Sequence, residues 1–178
     1  MRQIHKLLCL ICLIFLNACA GPTEPEHYAK ETPALDLQQY FNGTLNAWGI
    51  FQNRSGDVIK RFTVVIQCSW AGQVGTLDEH FSYTDGTKQE RIWTLRKVAP
   101  DRYVGTAPDV IGEAIGITGG NSLHWQYVLA VPVDGKIINF DFDDWMFLID
   151  NHVMLNHAVM SKFGIKMGEV SLSFTKTP

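Results

Sequence analysis

The sequence contains few cysteines, and their positions leave no pair for a disulfide in a processed chain. Only four occur among 178 residues. Cys9 and Cys12 lie in an apolar N-terminal run, Cys19 follows that run, and only Cys68 lies in the body of the chain. A lone cysteine in an apolar strand pattern is typical of a buried core residue, so we expect Cys68 to be inert.

An excess of positive charge is also missing. Lysine and arginine number 15 against 18 aspartates and glutamates, which gives a formal net charge of −3 at pH 7. The basic residues form no concentrated run. Binding to nucleic acid depends on clustered lysine and arginine, so the composition predicts no nucleic-acid partner.

Motifs for catalysis and for metal binding are missing too. No serine stands in a Gly-x-Ser-x-Gly elbow, and no glycine loop that could cradle a phosphate precedes a helix. The histidines lack the short spacing of zinc sites, and the aspartates at 141, 143 and 144 lack the glycine-punctuated loop of calcium sites. We therefore predict no catalytic residue, cofactor or metal. An enzyme that acts on envelope lipids or glycans is the least supported hypothesis.

Helical periodicity is absent over any stretch longer than two turns, and alternation of apolar and polar residues takes its place. This period-two pattern predicts strands separated by short turns such as Asp85-Gly86 and Asp134-Gly135. Gly112 to Gly120 is expected to form bends or a bulge. The predicted strands are Leu45–Gln52, Val58–Trp70, Thr76–Thr84, Gln89–Val98, Arg102–Ile111, Ser122–Val133, Ile137–Ile149, Val153–Phe163 and Glu169–Thr175.

These strands predict an all-β domain over residues 35–178, an antiparallel up-and-down barrel of about nine or ten strands. A barrel is favoured over a sandwich because hairpins join neighbours without crossovers and closure removes exposed edges. Leu35 to Phe41 predicts a short helical turn that leads into the barrel.

The N-terminus has the layout of a secretory signal peptide over residues 1–18. Arg2 and Lys6 precede the apolar run Leu7 to Leu16, which is too short to span a bilayer. Leu16-Asn17-Ala18-Cys19 resembles the site cleaved by the lipoprotein signal peptidase, and this resemblance implies acylation of Cys19. Ala20 after the cysteine favours sorting to the outer membrane, with the domain facing the periplasm. Residues 19–34, rich in proline and polar side chains, are expected to form a lipid-anchored tether.

Four segments together carry a family resemblance. They are YFNGTLNAWGIFQNRSGDVIKRF (Tyr40 to Phe62), GTLDEHFSYTDG (Gly75 to Gly86), FDDWMFLID (Phe142 to Asp150) and MSKFGIKMGEVSLSF (Met160 to Phe174). The sequence resembles domain-of-unknown-function family 3833, which comprises envelope lipoproteins of proteobacteria. The resemblance implies a lipocalin-like barrel and no particular activity.

Large aromatic side chains are the main candidates for a ligand site. A barrel of about eight strands is either filled by side chains or wide enough for one small ligand, and the sequence leaves both alternatives open. A hollow barrel would bind a hydrophobic, acyl-chain-like molecule; a filled one would be an interaction protein whose Gly112–Gly120 and Gly164–Gly168 loops contact an envelope partner. The candidate lining residues are Trp48, Trp70, Tyr83, Trp93, Trp125 and Tyr127.

Asp144 is the one aspartate of the acidic run predicted to share the inward face with Phe142. A buried carboxylate needs a partner, and we expect Arg91 or Lys162 to supply it.

Overall fold

Alternating apolar and polar residues form ten strands in the computed structural model, which describes residues 23–176. Adjacent strands are antiparallel and joined mostly by short turns. The strands are β1 (Gly43–Asn53), β2 (Val58–Ala71), β3 (Val74–Tyr83), β4 (Lys88–Ala99), β5 (Arg102–Thr106), β6 (Val110–Gly119), β7 (Ser122–Val133), β8 (Lys136–Leu148), β9 (Val153–Lys162) and β10 (Ile165–Lys176).

Each strand pairs with the next in sequence, and β1 pairs with β10 to close the barrel. Gly49 lies opposite Leu172 in that closing ladder, and Ala47 lies opposite Phe174. The predicted antiparallel up-and-down barrel is therefore confirmed, with ten strands.

Strand β2 shows how the alternation builds the core. Phe62, Val64, Ile66 and Cys68 are buried, whereas the residues between them are exposed. Successive side chains of a strand point to opposite faces, so this pattern places the apolar set inside the barrel. The prediction that Cys68 belongs to the core is confirmed, and burial raises the pKa of its thiol to about 12.

The prediction of one continuous strand over Arg102–Ile111 is wrong, because the segment is divided between β5 and β6. Pro108 has no backbone N–H to contribute to a ladder, and the chain turns there, with Val110 N donating to Ala107 O at 3.1 Å. The glycine-rich segment expected to form bends is largely strand β6. The pairing of β6 with β7 does shift between Ile111 and Ile115, so the expected irregularity is present inside the strand.

The segment before β1 closes one end of the barrel. Helix α1 (Leu37–Tyr40) forms the predicted turn and is capped by Asp36, whose side chain accepts hydrogen bonds from Gln38 N and Gln39 N. Gln38 Nε2 donates to Gly72 O at 2.7 Å, and the Tyr40 hydroxyl donates to His152 O at 3.0 Å. The segment thus reaches turns on different sides of the barrel, and we call this end the closed end.

The opposite end, which we call the open end, carries the turns at residues 54–57, 84–87, 107–109, 134–135 and 163–164. Among the described residues, only these hairpin turns lie there. Leu35, Leu37, Tyr40 and Phe41 of the closing segment are buried, whereas several inward-facing apolar residues near the open end remain partly exposed. The latter are Phe51, Tyr83, Val131, Val133, Ile138 and Val170.

The predicted tether over residues 19–34 is described from Thr23 onward. Residues Pro25–Tyr28 form a 3₁₀ helix that lies against β6 and β7, and Pro25 is buried. The Tyr28 ring packs edge-on to Phe147, with centroids 5.1 Å apart. This apolar contact holds the segment against the outer surface of the barrel. The predicted signal peptide and Cys19 lie outside the described residues.

None of the helices within residues 23–176 has the length and apolar character needed to cross a bilayer.

Candidate ligand-binding site

Aromatic rings from three strands meet in the middle of the barrel. The Trp93 ring packs edge-on against Trp125, with centroids 5.9 Å apart, and against Tyr127 at 5.6 Å. Tyr127 in turn stacks on Phe142 at 5.1 Å with an interplanar angle of 5°. Such contacts stabilise an interior beyond the area that they bury.

A second aromatic layer lies nearer the open end. Phe81 and Tyr83 stack with centroids 6.2 Å apart, and Phe62 lies 5.5 Å from Tyr83. Lysine and arginine cover two of these faces: Lys60 Nζ lies 4.9 Å from the Tyr83 centroid, and the Arg91 guanidinium lies 5.5 Å from that of Phe81. The layer is therefore apolar in its rings and cationic at its margin.

Between the two aromatic layers lies an ion cluster formed by Glu79, Arg91 and Asp109. Arg91 binds both carboxylate oxygens of Asp109. Its Nε donates to Oδ1 at 3.1 Å and its Nη2 donates to Oδ2 at 2.8 Å, and Nε also lies 3.0 Å from Oδ2. Glu79 Oε2 lies 3.8 Å from Arg91 Nη1, too far for a hydrogen bond. That oxygen is buried and has no hydrogen-bond partner among the described residues.

Burial determines the protonation of this cluster. Removal from water raises the pKa of Glu79 to about 7; the Arg91 charge opposes the rise, and the charge of Asp109 adds to it. Burial alone would lower the pKa of Arg91, but the neighbouring carboxylates raise it above its ordinary value. The guanidinium therefore stays charged while Glu79 exchanges a proton near neutral pH.

Asp144 lies deeper in the barrel than the ion cluster. The prediction that its side chain faces inward is confirmed, since it is buried. The prediction that Arg91 or Lys162 is its partner is wrong. The side chain of Asn156 donates to Asp144 Oδ1, and the Tyr127 hydroxyl donates to Oδ2 at 3.4 Å. Lys162 instead reaches Asn139 O at 2.6 Å.

The pKa of Asp144 is also raised to about 7. Burial is the main cause, although the hydrogen bonds from Asn156 and Tyr127 favour the carboxylate. Burial also raises the pKa of Tyr127 well above its ordinary value, so its hydroxyl remains a donor. The barrel thus holds two ionisable groups, Glu79 and Asp144, that change charge near neutral pH.

The structure brings together only part of the predicted aromatic set. Trp93, Trp125 and Tyr127 meet in the middle layer, and Tyr83 lies in the layer toward the open end. Trp70 lies at the closed end, where its Nε1 donates to Phe41 O at 2.8 Å.

Trp48 lies on the outside of the barrel, away from the five other aromatic residues that were predicted to line a ligand site. Its side chain is 53% exposed. Gly49 takes the adjacent inward position, where the Phe62 ring fills the space that a side chain would occupy. Trp48 instead borders a shallow outer depression of about 660 Å³, together with Ile50 and Arg61.

The ion cluster was missed by the sequence reasoning, although the alternation contains the signal. Glu79 stands between Leu77 and Phe81 on the inward face of β3, and Arg91 precedes the inward Trp93 by two residues. Asp109 gave no such signal, because it lies in the turn between β5 and β6. Within residues 23–176, no group of three or more histidine, cysteine, aspartate or glutamate side chains could hold a metal ion.

A closed antiparallel up-and-down barrel with a short N-terminal segment across one end belongs to the class of lipocalin-like barrels. Within that class, the chain belongs to the family described as Protein of unknown function (DUF3833), whose model matches residues 13–176. No curated protein matches the sequence.

Two solved structures share the fold. The S-type phycobiliprotein lyase CPES from Guillardia theta has a TM-score of 0.57 at 7% identity, covering 88% of this chain and all of that one. Rv2717c from M. tuberculosis also has a TM-score of 0.57, at 14% identity, covering 83% of this chain and 99% of that one. At these identities the likeness concerns the fold alone.

Proposed function

We propose that this protein is a lipid-anchored carrier or sensor that binds a hydrophobic ligand in the open half of its barrel. The apolar part of the ligand, which we take to be acyl-chain-like, lies among the partly exposed residues at the open end. Its head group reaches the ion cluster, and the sealed end sets the depth of entry.

The observation that carries this proposal is the buried Glu79 Oε2, for which residues 23–176 provide no hydrogen-bond partner. Buried polar atoms are almost always hydrogen-bonded, so an exception at the base of an open end calls for an outside donor. Glu79, Asp109 and Asp144 outnumber Arg91, whose guanidinium is already engaged by Asp109. The head group that fits is therefore a hydrogen-bond donor, such as a hydroxyl or an amine, and not a carboxylate.

The test is mass spectrometry of organic extracts from the full chain purified out of a bacterial envelope in detergent. We expect a stoichiometric hydrophobic molecule in the wild type and its loss in Glu79→Gln. Glu113→Gln is the matched control, because Glu113 is an exposed glutamate that pairs with Arg96 on the outside. An empty extract from well-folded wild type, or equal loading of both variants, would refute ligand binding.

We also propose that the protein is anchored through acylated Cys19 to the outer membrane and faces the periplasm. The support is the N-terminal sequence. Five residues lie between Cys19 and Pro25, and the six steps from one to the other span at most about 20 Å when extended. Because Pro25 packs beside Gly119 at the end of β6, the anchor would hold the closed end near the bilayer. Cys19→Ser should abolish acyl labelling in cells; normal labelling of that variant would refute the anchor.

The densely packed middle layer favours a second candidate, an interaction protein with a filled barrel. Trp93 and Trp125 already occupy the centre. Of the two predicted contact loops, Gly112–Gly120 belongs to β6, which leaves the β9–β10 turn. Crosslinking in intact cells that traps one reproducible protein, combined with an empty extract, would favour this candidate.

A further inference from the structure

Two hairpins at the open end lie side by side and expose apolar side chains. Because β1 pairs with β10, the β1–β2 hairpin is the neighbour of the β9–β10 hairpin. We call their exposed apolar residues the tip patch. The tip patch comprises Val58, Ile59, Phe163, Ile165 and Met167.

Basic residues surround the tip patch. Residues 53–61 and 162–168 contain five cationic side chains against the single carboxylate of Asp57. One of the five, Lys166, pairs with Glu169 just below the tip. The cationic residues are Arg54, Lys60, Arg61, Lys162 and Lys166.

The closed end has the opposite character. Residues 23–41 carry four carboxylates and one lysine. The excess of basic residues beside the tip patch is therefore a local feature of a chain that is net negative.

Phe163 is the most unusual residue of the tip patch. Its φ is +52°, and Gly164 after it has a φ of +72°, so the two form a tight hairpin turn with positive φ at both positions. This conformation is unfavourable for a bulky side chain and suits Asn, Asp or Gly. The β7–β8 hairpin makes the same turn with Asp134-Gly135, at +48° and +76°.

The Phe163 side chain is 88% exposed, so burial within the fold does not offset this strain. Lys162 Nζ lies 4.9 Å from the centre of its ring, which pairs an aromatic face with a cation at the tip itself. An aromatic residue held in an unfavourable conformation and exposed beside lysines is explained by a contact outside the chain.

We propose that the tip patch docks on a bilayer that contains anionic lipids. The apolar residues enter the interface while the surrounding lysines and arginines meet the lipid phosphates. The tip patch and the predicted anchor lie at opposite ends of the barrel, so docking by the tip patch brings the open end to a bilayer that faces the one holding the anchor. The proposal does not depend on a ligand in the interior.

The experiment measures co-sedimentation with vesicles. A chain that begins at Thr23 retains the closing segment and all ten strands and lacks the predicted anchor. Its cooperative thermal unfolding is recorded first, so that vesicle binding is measured on a folded barrel. We expect binding to vesicles of phosphatidylcholine and phosphatidylglycerol, weaker binding to phosphatidylcholine alone, and a decrease with added salt.

Phe163→Asn removes the ring without changing charge, and we expect it to weaken vesicle binding about tenfold. The same variant should raise the melting temperature or leave it unchanged, because asparagine tolerates positive φ. Ile149→Asn is the matched control: Ile149 is 52% exposed at the closed end, and its replacement should leave binding unchanged.

Three outcomes would overturn the proposal. The first is a wild-type chain that does not bind anionic vesicles. The second is an equal loss of binding in Phe163→Asn and Ile149→Asn. The third is a dimer that Phe163→Asn dissociates while vesicles bind neither protein, which would assign the tip patch to a second copy of the chain.

Discussion

The indole of Trp125 lies directly on the backbone of Gly116, where a Cβ would stand 2.1 Å from its Cε3 atom. The same ring extends over Gly105 on the next strand, where a Cβ would stand 2.5 Å from Cζ2. Gly105 and Gly116, on neighbouring strands, therefore have no side chain at the positions that the Trp125 ring covers. This relationship explains why strand β6 has a glycine at position 116.

We expect Gly116→Ala to destabilise the barrel by about 1–3 kcal/mol, because the added methyl group forces the Trp125 ring from its position. Urea unfolding of the variant measures the change. Combining Gly116→Ala with Trp125→Phe should cost less than the sum of the two single changes, because the smaller ring leaves room for the methyl group. Strict additivity would show that the two residues do not share this space.

The raised pKa of Asp144 predicts a stability that falls with rising pH. Because the folded-state pKa is about 7 and an unfolded aspartate titrates near 4, the folded state holds the proton more tightly. The contribution of Asp144 is full below about pH 4 and is lost as the pH rises through about 7. Asp144→Asn removes this part of the dependence.

Unfolding at about pH 5 and about pH 8 checks this prediction, with the difference between wild type and variant as the quantity compared. The difference matters because the pKa values of exposed Asp85 and Asp150 are lowered by hydrogen bonds, and their contributions are lost as the pH falls. We expect Asp144→Asn to gain stability relative to wild type at the higher pH. A constant offset at both pH values would contradict the prediction.

Tyr40→Phe should loosen the closed end and cost about 1 kcal/mol, because it removes the hydrogen bond from the Tyr40 hydroxyl to His152 O. Hydrogen exchange should accelerate in the turn at residues 149–152 more than in the strands. Tyr28→Phe is the control, since Tyr28 contributes ring packing on Phe147. Equal effects of the two variants would argue against a specific role for the Tyr40 hydroxyl.

The two faces of the barrel can be distinguished by tryptophan fluorescence. Trp48 is exposed on the outer wall, whereas Trp125 is buried. Trp48→Phe should therefore remove most of the emission that iodide quenches, and Trp125→Phe should leave that fraction nearly intact. If iodide still quenches the same fraction of the emission in Trp48→Phe, the Trp48 side chain does not lie on the exposed outer wall.

In β2 the alternation of the sequence matches the alternation of burial, because a strand buried on one face repeats every two residues. The same rule could not orient Trp48, because the inward position next to it is Gly49, and a glycine gives no apolar signal. The division at Pro108 was missed because the residues on either side of it continue the apolar pattern.

The candidate site was less predictable than the fold. The sequence indicated that Asp144 faces inward, but its partner depends on the registers between β7, β8 and β9, which place Asn156 and Tyr127 beside it. The pairing of Arg91 with Asp109 joins a strand to a turn 18 positions away. Such contacts follow from closure of the barrel and leave no local pattern.

The ladder that shuts the barrel joins its first strand to its last, so residues such as Gly49 and Leu172 meet only when nearly the whole chain is present. Until β10 has emerged, β1 and β9 both have unpaired edges, which are prone to pair with other chains. Distant pairing of this kind is also slow to form. Synthesis therefore passes through a stage in which a nearly complete sheet still has two unpaired edges. A chain interrupted before Gly168 should aggregate instead of forming a smaller barrel.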